Sequence, residues 1–359
     1  MPGARTSVSP SLGIGLGVTP APMIGNKDKQ RRPKRERACR AVKQPNSREA
    51  KRLEDKSNIG EASKVAIVGL GSMGFGMASS LLRAGFPVAG CDVSEKAVER
   101  FSQAGGDGAA SPAEAARDAS AVVTVVVNAA QTERVLFGPE GAAATLRPGG
   151  VIVSCATLAP ETARRLANMA TERGLAYLDA PISGGARRAA EGGLTILASG
   201  SKETFEAARP LLDAMAQKVY ELGDEPGTGS AFKIINQLLA GVHIAAASEA
   251  MTFAKRLGLD LDMVYEVITK SAGNSWMFED RMAHVLEGDY SPRSAVDIFT
   301  KDLGIVSDIS RDTRFPTPIA ATALQMFLMT ASAGMGGDDD SSVARLYART
   351  AGLKLPGDG

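Results

Sequence analysis

The sequence predicts an α/β fold followed by an all-α domain, and three observations carry that reading. Short apolar runs alternate with helical stretches from Lys64 onward. The runs are apolar throughout, which suits a parallel sheet covered by helices on both faces. After Leu222 no convincing strand appears.

The elements follow in order. KVAIVGL, from Lys64, is a short strand ending in glycine, and Met73–Ala84 is a helical stretch. Val88–Asp92 is a second strand. Ala121–Val127, AVVTVVV, is a β-branched run of the kind strands favour. Val151–Ser154, Ala176–Asp179 and Leu194–Ala198 complete the sheet, with Pro160–Glu172 and Lys202–Met215 as helices between strands. Beyond Gly227 the pattern becomes helical: one long stretch from Ser230 to Leu257, then Asp262–Ala272, Ala295–Asp312 and Pro318–Ala333.

The chain's 359 residues suit two domains. Residues 1–62 read differently. A Gly- and Pro-rich start without a steady period leads into a basic run from Lys27 to Lys43. Such a segment cannot bury enough apolar surface to offset its ordering entropy. Its Pro and Gly also argue against the amphipathic helix of a targeting peptide. The expected division is a disordered basic tail over 1–62, a nucleotide-binding domain over 63–226, and a helical substrate and oligomerisation domain over 227–359.

Composition excludes several functions. A net charge of +1 gives no electrostatic case for nucleic acid or a membrane surface. No unbroken apolar run approaches the roughly 18 residues of a membrane span. Cys39, Cys91 and Cys155 lie far apart, with neither metal-ligand spacing nor a disulfide framework, which fits a reducing, cytoplasmic setting. His243 and His284 are the only histidines, too few for a typical zinc site, so no metal is expected.

The fingerprint Gly69-Leu70-Gly71-Ser72-Met73-Gly74 has the form G-x-G-x-x-G. GIGLG at 13–17 shows how easily part of that pattern arises, since no strand precedes it. The later match follows a strand, opens a helix and meets Asp92 at the end of the next strand, so it predicts a Rossmann-type dinucleotide site. The first glycine makes the turn, the second admits the pyrophosphate, and the third lets helix pack on strand. Asp92 would accept bonds from the adenosine ribose. A carboxylate there repels a 2′-phosphate, and Val93 follows where an arginine would bind one, so NAD is expected over NADP.

A nicotinamide enzyme acting on an alcohol needs a proton acceptor. Histidine is scarce, and none of the five tyrosines has a lysine four residues on. Lysine or a carboxylate remains.

Three motifs in sequence resemble the β-hydroxyacid dehydrogenase family: the fingerprint, then Asp179-Ala-Pro-Ile-Ser183-Gly184-Gly185, then Gly227-Thr-Gly229-Ser-Ala-Phe-Lys233-Ile-Ile-Asn236-Gln237. Lys301-Asp302-Leu303 matches a shorter signature. The resemblance runs from about Lys64 to the C-terminus. It implies Lys233 as the catalytic residue, taking the substrate hydroxyl's proton or polarising its oxygen. It implies Ser183, Gly184 and Gly185 at the substrate carboxylate, where successive N–H groups and a hydroxyl suit an anion. Asn236 and Gln237 share a helix face with Lys233 and would orient hydroxyls. Many relatives carry two asparagines there, so Gln237 is a departure. The resemblance further implies cofactor contacts at Asn128, Thr157 and Lys301.

The stretches from Asn236 and around Asn274-Ser275-Trp276 resemble the branch that oxidises L-threonate at C2. Asn274 and Ser275 would then touch a polyhydroxylated substrate. The same machinery would serve 3-hydroxyisobutyrate or tartronate semialdehyde. A non-catalytic NAD-binding module with a basic arm is the contrasting expectation. The family's habit implies a homo-dimer or tetramer formed through the helical domain.

Overall fold

The computed structural model describes residues 59–60 and 63–358. The reading of residues 1–58 as a disordered basic tail, Cys39 included, lies outside them.

Six strands form one all-parallel sheet in the order β3-β2-β1-β4-β5-β6. They are β1 (Val65–Val68), β2 (Val88–Cys91), β3 (Asp107–Gly108), β4 (Ala121–Thr124), β5 (Val151–Ser154) and β6 (Ala176–Asp179). Successive residues of a strand face opposite sides of its sheet. Accordingly Val65 and Ile67 join Met77, Leu81, Leu211 and Leu212 on one side. Ala66 and Val68 join Leu136, Leu166 and Ala170 on the other. Ile59 is buried in the first of these cores, so packed chain begins ahead of the expected boundary at residue 63. The strand order reverses between β1 and β4, and such a switch point leaves a ligand crevice at the strands' C-terminal ends.

Two expected strands differ. AVVTVVV is a strand only to Thr124. Val125 still donates to the Val68 carbonyl, but β1 ends there in the turn at Gly69, and Val127 is exposed. Leu194–Ala198 is a strand, β8, but of a second sheet with β7 (Ile182–Ser183) and β9 (Ala216–Glu221), in the order β7-β8-β9. Its burial alternates, unlike the fully buried strands of the main sheet, and it runs antiparallel to β7. An antiparallel bridge between Asp179 and Ser199 joins the two sheets.

Residues after Gly227 form helices, and no strand occurs there among the described residues. Thr228–Arg256 is the long central helix, joined by Leu261–Thr269, Trp276–Glu287, Val296–Thr313, Pro318–Thr330 and Val343–Ala351. Its core includes Ile234, Ile244, Phe299, Leu303 and Phe327. Gly241 permits one close crossing, since a Cβ there would lie 2.9 Å from Leu303 Cδ1. Two helical stretches, Thr228–Arg256 and Pro318–Met335, are long and apolar enough on average to cross a membrane, although polar residues interrupt both. The first sends Ile234, Ile244 and Ala245 into the helical core.

Candidate active site

The fingerprint glycines occupy three different environments. Gly69 has φ +97°, a left-handed conformation, and a Cβ there would lie 2.3 Å from the Val125 carbonyl oxygen. A Cβ on Gly74 would lie 1.8 Å from the Gly69 carbonyl oxygen, so only glycine lets the helix Ser72–Arg83 start against that turn. Around Gly71 nothing lies within 4 Å of a built Cβ. Gly71 is also that helix's N-cap and supplies no side-chain cap. An open helix start with unpaired N–H groups fits a pyrophosphate.

Asp92 is fixed before any ribose arrives. The backbone N–H of Leu70 donates to its Oδ2 at 2.7 Å, and that of Ser94 to its Oδ1 at 2.8 Å. Each carboxylate oxygen accepts more than one bond, so capacity remains for ribose hydroxyls. Val93 beside it is 94% exposed and brings no positive charge. Asn128 caps the helix Ala129–Phe137 by accepting from the Gln131 N–H at 2.9 Å. Thr157 lies half-buried after β5. Both residues therefore follow C-terminal strand ends, the edge that carries the fingerprint. This donor set and the open glycine fit NAD.

Lys233 lies in the second turn of the long helix and is 7% exposed. Among the described residues its amine makes no hydrogen bond or ion pair. Burial lowers its pKa to about 8, Asp302 pulls it up and Lys301 pushes it down. A buried lysine with its pKa lowered to about 8 gives up its proton far more readily than an ordinary lysine, as an acceptor must.

Gln237, one turn beyond Lys233, has both ends of its amide engaged. It donates to Asp302 Oδ2 at 2.6 Å and accepts from Asn236 Nδ2 at 2.9 Å. Lys301 pairs with the other oxygen of Asp302, which is 1% exposed. One amide hydrogen of Gln237 is therefore committed to a buried carboxylate, whereas Asn236 is exposed. The longer amide has a geometric role here: it reaches the Val296–Thr313 helix, which carries Asp302.

Ser183 pairs with Thr195 across β7 and β8. Gly184 and Gly185 follow with φ +134° and +76°, conformations that side chains resist, and open the helix Gly185–Glu191. Asn274 and Ser275 stand at the start of the helix Trp276–Glu287. Ser275 accepts from the Phe278 N–H to cap Trp276–Glu287, and the Asn274 amide donates to Glu279 and to the Thr269 carbonyl. The Asn274 Oδ1 is buried and has no hydrogen-bond partner among the described residues. Trp276 is half-exposed.

Two acids of the family motifs have no role evident from the sequence, Asp302 and Asp179. Asp179 is fully buried at the end of β6. Burial pushes its pKa up, against hydrogen bonds from Ser230, Gly227 and Ser199. The available signal was the long helix's glycine N-cap, which has no side chain with which to cap itself.

Residues 64–223 match the family model described as the NAD binding domain of 6-phosphogluconate dehydrogenase. Residues 227–347 match the model described as NAD-binding of NADP-dependent 3-hydroxyisobutyrate dehydrogenase. An L-threonate dehydrogenase of Cupriavidus necator is 54% identical over 293 residues, covering 82% of this chain and 98% of that one. The L-threonate dehydrogenase of Escherichia coli K12 is 50% identical, covering 83% and 98%. A crystal structure named 3-hydroxyisobutyrate dehydrogenase, from Salmonella typhimurium, superposes with TM-score 0.76 at 51% identity, covering 79% and 99%.

Proposed function

Because this chain belongs to the β-hydroxyacid dehydrogenase family, we propose that it oxidises L-threonate at C2 to 2-dehydro-L-erythronate with NAD as the hydride acceptor. The observation that carries the chemistry is the buried, unpaired amine of Lys233. The substrate follows from five L-threonate dehydrogenases at 49–54% identity.

NAD, when bound along the fingerprint, supplies the hydride acceptor. Residues 63–226 would hold it through Gly69, Leu70, Gly71, Ser72, Met73, Gly74, Asp92, Asn128 and Thr157, with Lys301 of the helical domain as a further contact. Residues 227–359 supply Lys233, whose neutral amine takes the C2 hydroxyl proton. Ser183, Gly184 and Gly185 hold the carboxylate, and Asn236 orients a substrate hydroxyl. Gln237 acts one step back, by fixing Asn236 and Asp302. Free, buried thiols at Cys91 and Cys155, both pushed up to about 12 by burial, fit a reducing cytoplasmic setting.

We also propose a homo-oligomer. Phe232, Leu239, Ala246 and Phe253 recur every seven residues along the long helix and are all exposed. A second copy is the occupant the family habit implies.

The Salmonella structure's name favours a second reading, 3-hydroxyisobutyrate oxidation by the same machinery. NAD reduction across L-threonate, 3-hydroxyisobutyrate and glycerate separates the two. The highest kcat/KM on L-threonate supports the first reading, and a preference for 3-hydroxyisobutyrate replaces it with the second.

A further inference from the structure

We infer that Asp179 is a positioning residue: from the segment that carries Ser183, it caps the helix that carries Lys233 and so sets the geometry between them. The inference rests on the proposed role of Lys233. Asp179 ends β6, and Ser183 follows four residues later. Its Oδ2 accepts from the Gly227 N–H at 2.9 Å and the Ser230 N–H at 2.8 Å, while Oδ1 accepts from the Ser230 hydroxyl at 2.7 Å. Ser199, bridged to Asp179 through both backbones, accepts from the Gly229 N–H at 2.9 Å and donates to Oδ2 at 3.3 Å.

Two side chains from the sheets thus satisfy N–H groups that the first helical turn leaves unpaired. The helix cannot do this itself, since Gly227 has no side chain. The helix start packs closely on the second sheet, where only glycine fits: a Cβ on Gly229 would lie 2.3 Å from the Leu197 carbonyl oxygen. Lys233 is three residues from Ser230 and four from Gly229, on the same helix face. Ser230 is fully buried and Lys233 nearly so. Without the carboxylate, buried N–H groups lose their partner and the turn must shift or admit water. Either change reaches Lys233 within one turn.

The test compares Asp179→Ala, Asp179→Asn, Ser230→Ala and Lys233→Ala in the full chain. The asparagine keeps the shape: its oxygen can serve both backbone N–H groups and its NH₂ the Ser230 hydroxyl. Melting temperature, NADH affinity by fluorescence, kcat, KM and the pH profile are read for each. Asp179→Ala should bind NADH within about 3-fold of the parent, since the fingerprint lies elsewhere, while kcat falls about 10²-fold. The pH midpoint of kcat/KM should rise above the parent's as Lys233 loses burial, with Lys301 and Asp302 still beside it. Asp179→Asn should recover kcat to within about 10-fold.

An Asp179→Ala protein that melts earlier but keeps the parent's kcat per NADH site and its pH midpoint overturns the inference. If Asp179→Ala does not fold, Ser230→Ala decides. A several-fold loss of kcat with NADH affinity intact supports the inference, and an unchanged kcat overturns it. Lys233→Ala keeps two failures apart: if it still turns over, the catalytic reading fails; if it is dead while Asp179→Ala is normal, only the positioning role fails.

Discussion

Replacing Lys233 with methionine should make the protein more stable at pH 7 while abolishing turnover. Methionine has similar length and no charge, so it suits a site that is 7% exposed. Burial lowers the Lys233 pKa to about 8. At pH 7 roughly nine in ten Lys233 side chains are then still charged in the folded state. Between the folded value and that of an ordinary lysine, the unfolded chain binds more protons. Stability contributed by this group therefore rises with pH from about 8 upward and is lowest below 8. The displacement corresponds to about 3 kcal/mol as an upper figure.

Removing the ammonium also takes an attractive charge from buried Asp302, though Lys301 and Gln237 remain bound to it. A net gain of about 1–2 kcal/mol at pH 7 is therefore expected. Denaturant titrations of both proteins at pH 7 and pH 10 measure it. The methionine variant's advantage should shrink at pH 10. An equal advantage at both pH values, or destabilisation at pH 7, would refute the buried-ammonium account.

Other expectations follow from the same geometry. Asp92→Ala should narrow the NAD preference in kcat/KM by about 10-fold or more, since it removes the carboxylate that repels a 2′-phosphate; an unchanged ratio would show that discrimination lies elsewhere. Ser183→Ala should raise the KM for L-threonate while leaving NADH affinity unaltered; a loss confined to NADH would move Ser183 to the cofactor side. Phe232→Glu with Leu239→Glu should shift the assembly towards monomer in light scattering, because two charges cannot be buried unpaired at an apolar contact; an unchanged mass would place the subunit contact on another face.

The main sheet was legible because its strands are buried on both faces, so apolar runs such as VAIV and VIVS declare themselves without alternation. The glycine spacing and Asp92 were legible because a tight turn, a ligand approach and a helix contact each impose a residue type. The second sheet was not. β8 looked like another apolar run, and its antiparallel partner β7 is only two residues long. Helix Trp276–Glu287 was hidden because Asn274 and Ser275 read as substrate contacts, although a serine before an apolar-patterned run is also an N-cap signal. Ile59 was hidden because a single apolar residue after a charged stretch has no period to betray it.

In the site, Lys233 was legible through its motif, but its lowered pKa depends on burial that only tertiary packing creates. Asp179 and Asp302 act through partners 51 and 65 residues away, at Ser230 and Gln237. No local pattern encodes a hydrogen bond across that separation.

The most direct test of the chemistry pairs two measurements on Lys233→Ala: steady-state oxidation of L-threonate with NAD, and NADH binding by fluorescence. Loss of a positioned proton acceptor should lower turnover about 10²–10⁴-fold, with NADH affinity held by the glycine fingerprint and Asp92. Near-normal turnover would contradict the assignment of Lys233 as the proton acceptor, and a parallel loss of NADH binding would make it a cofactor or folding residue instead.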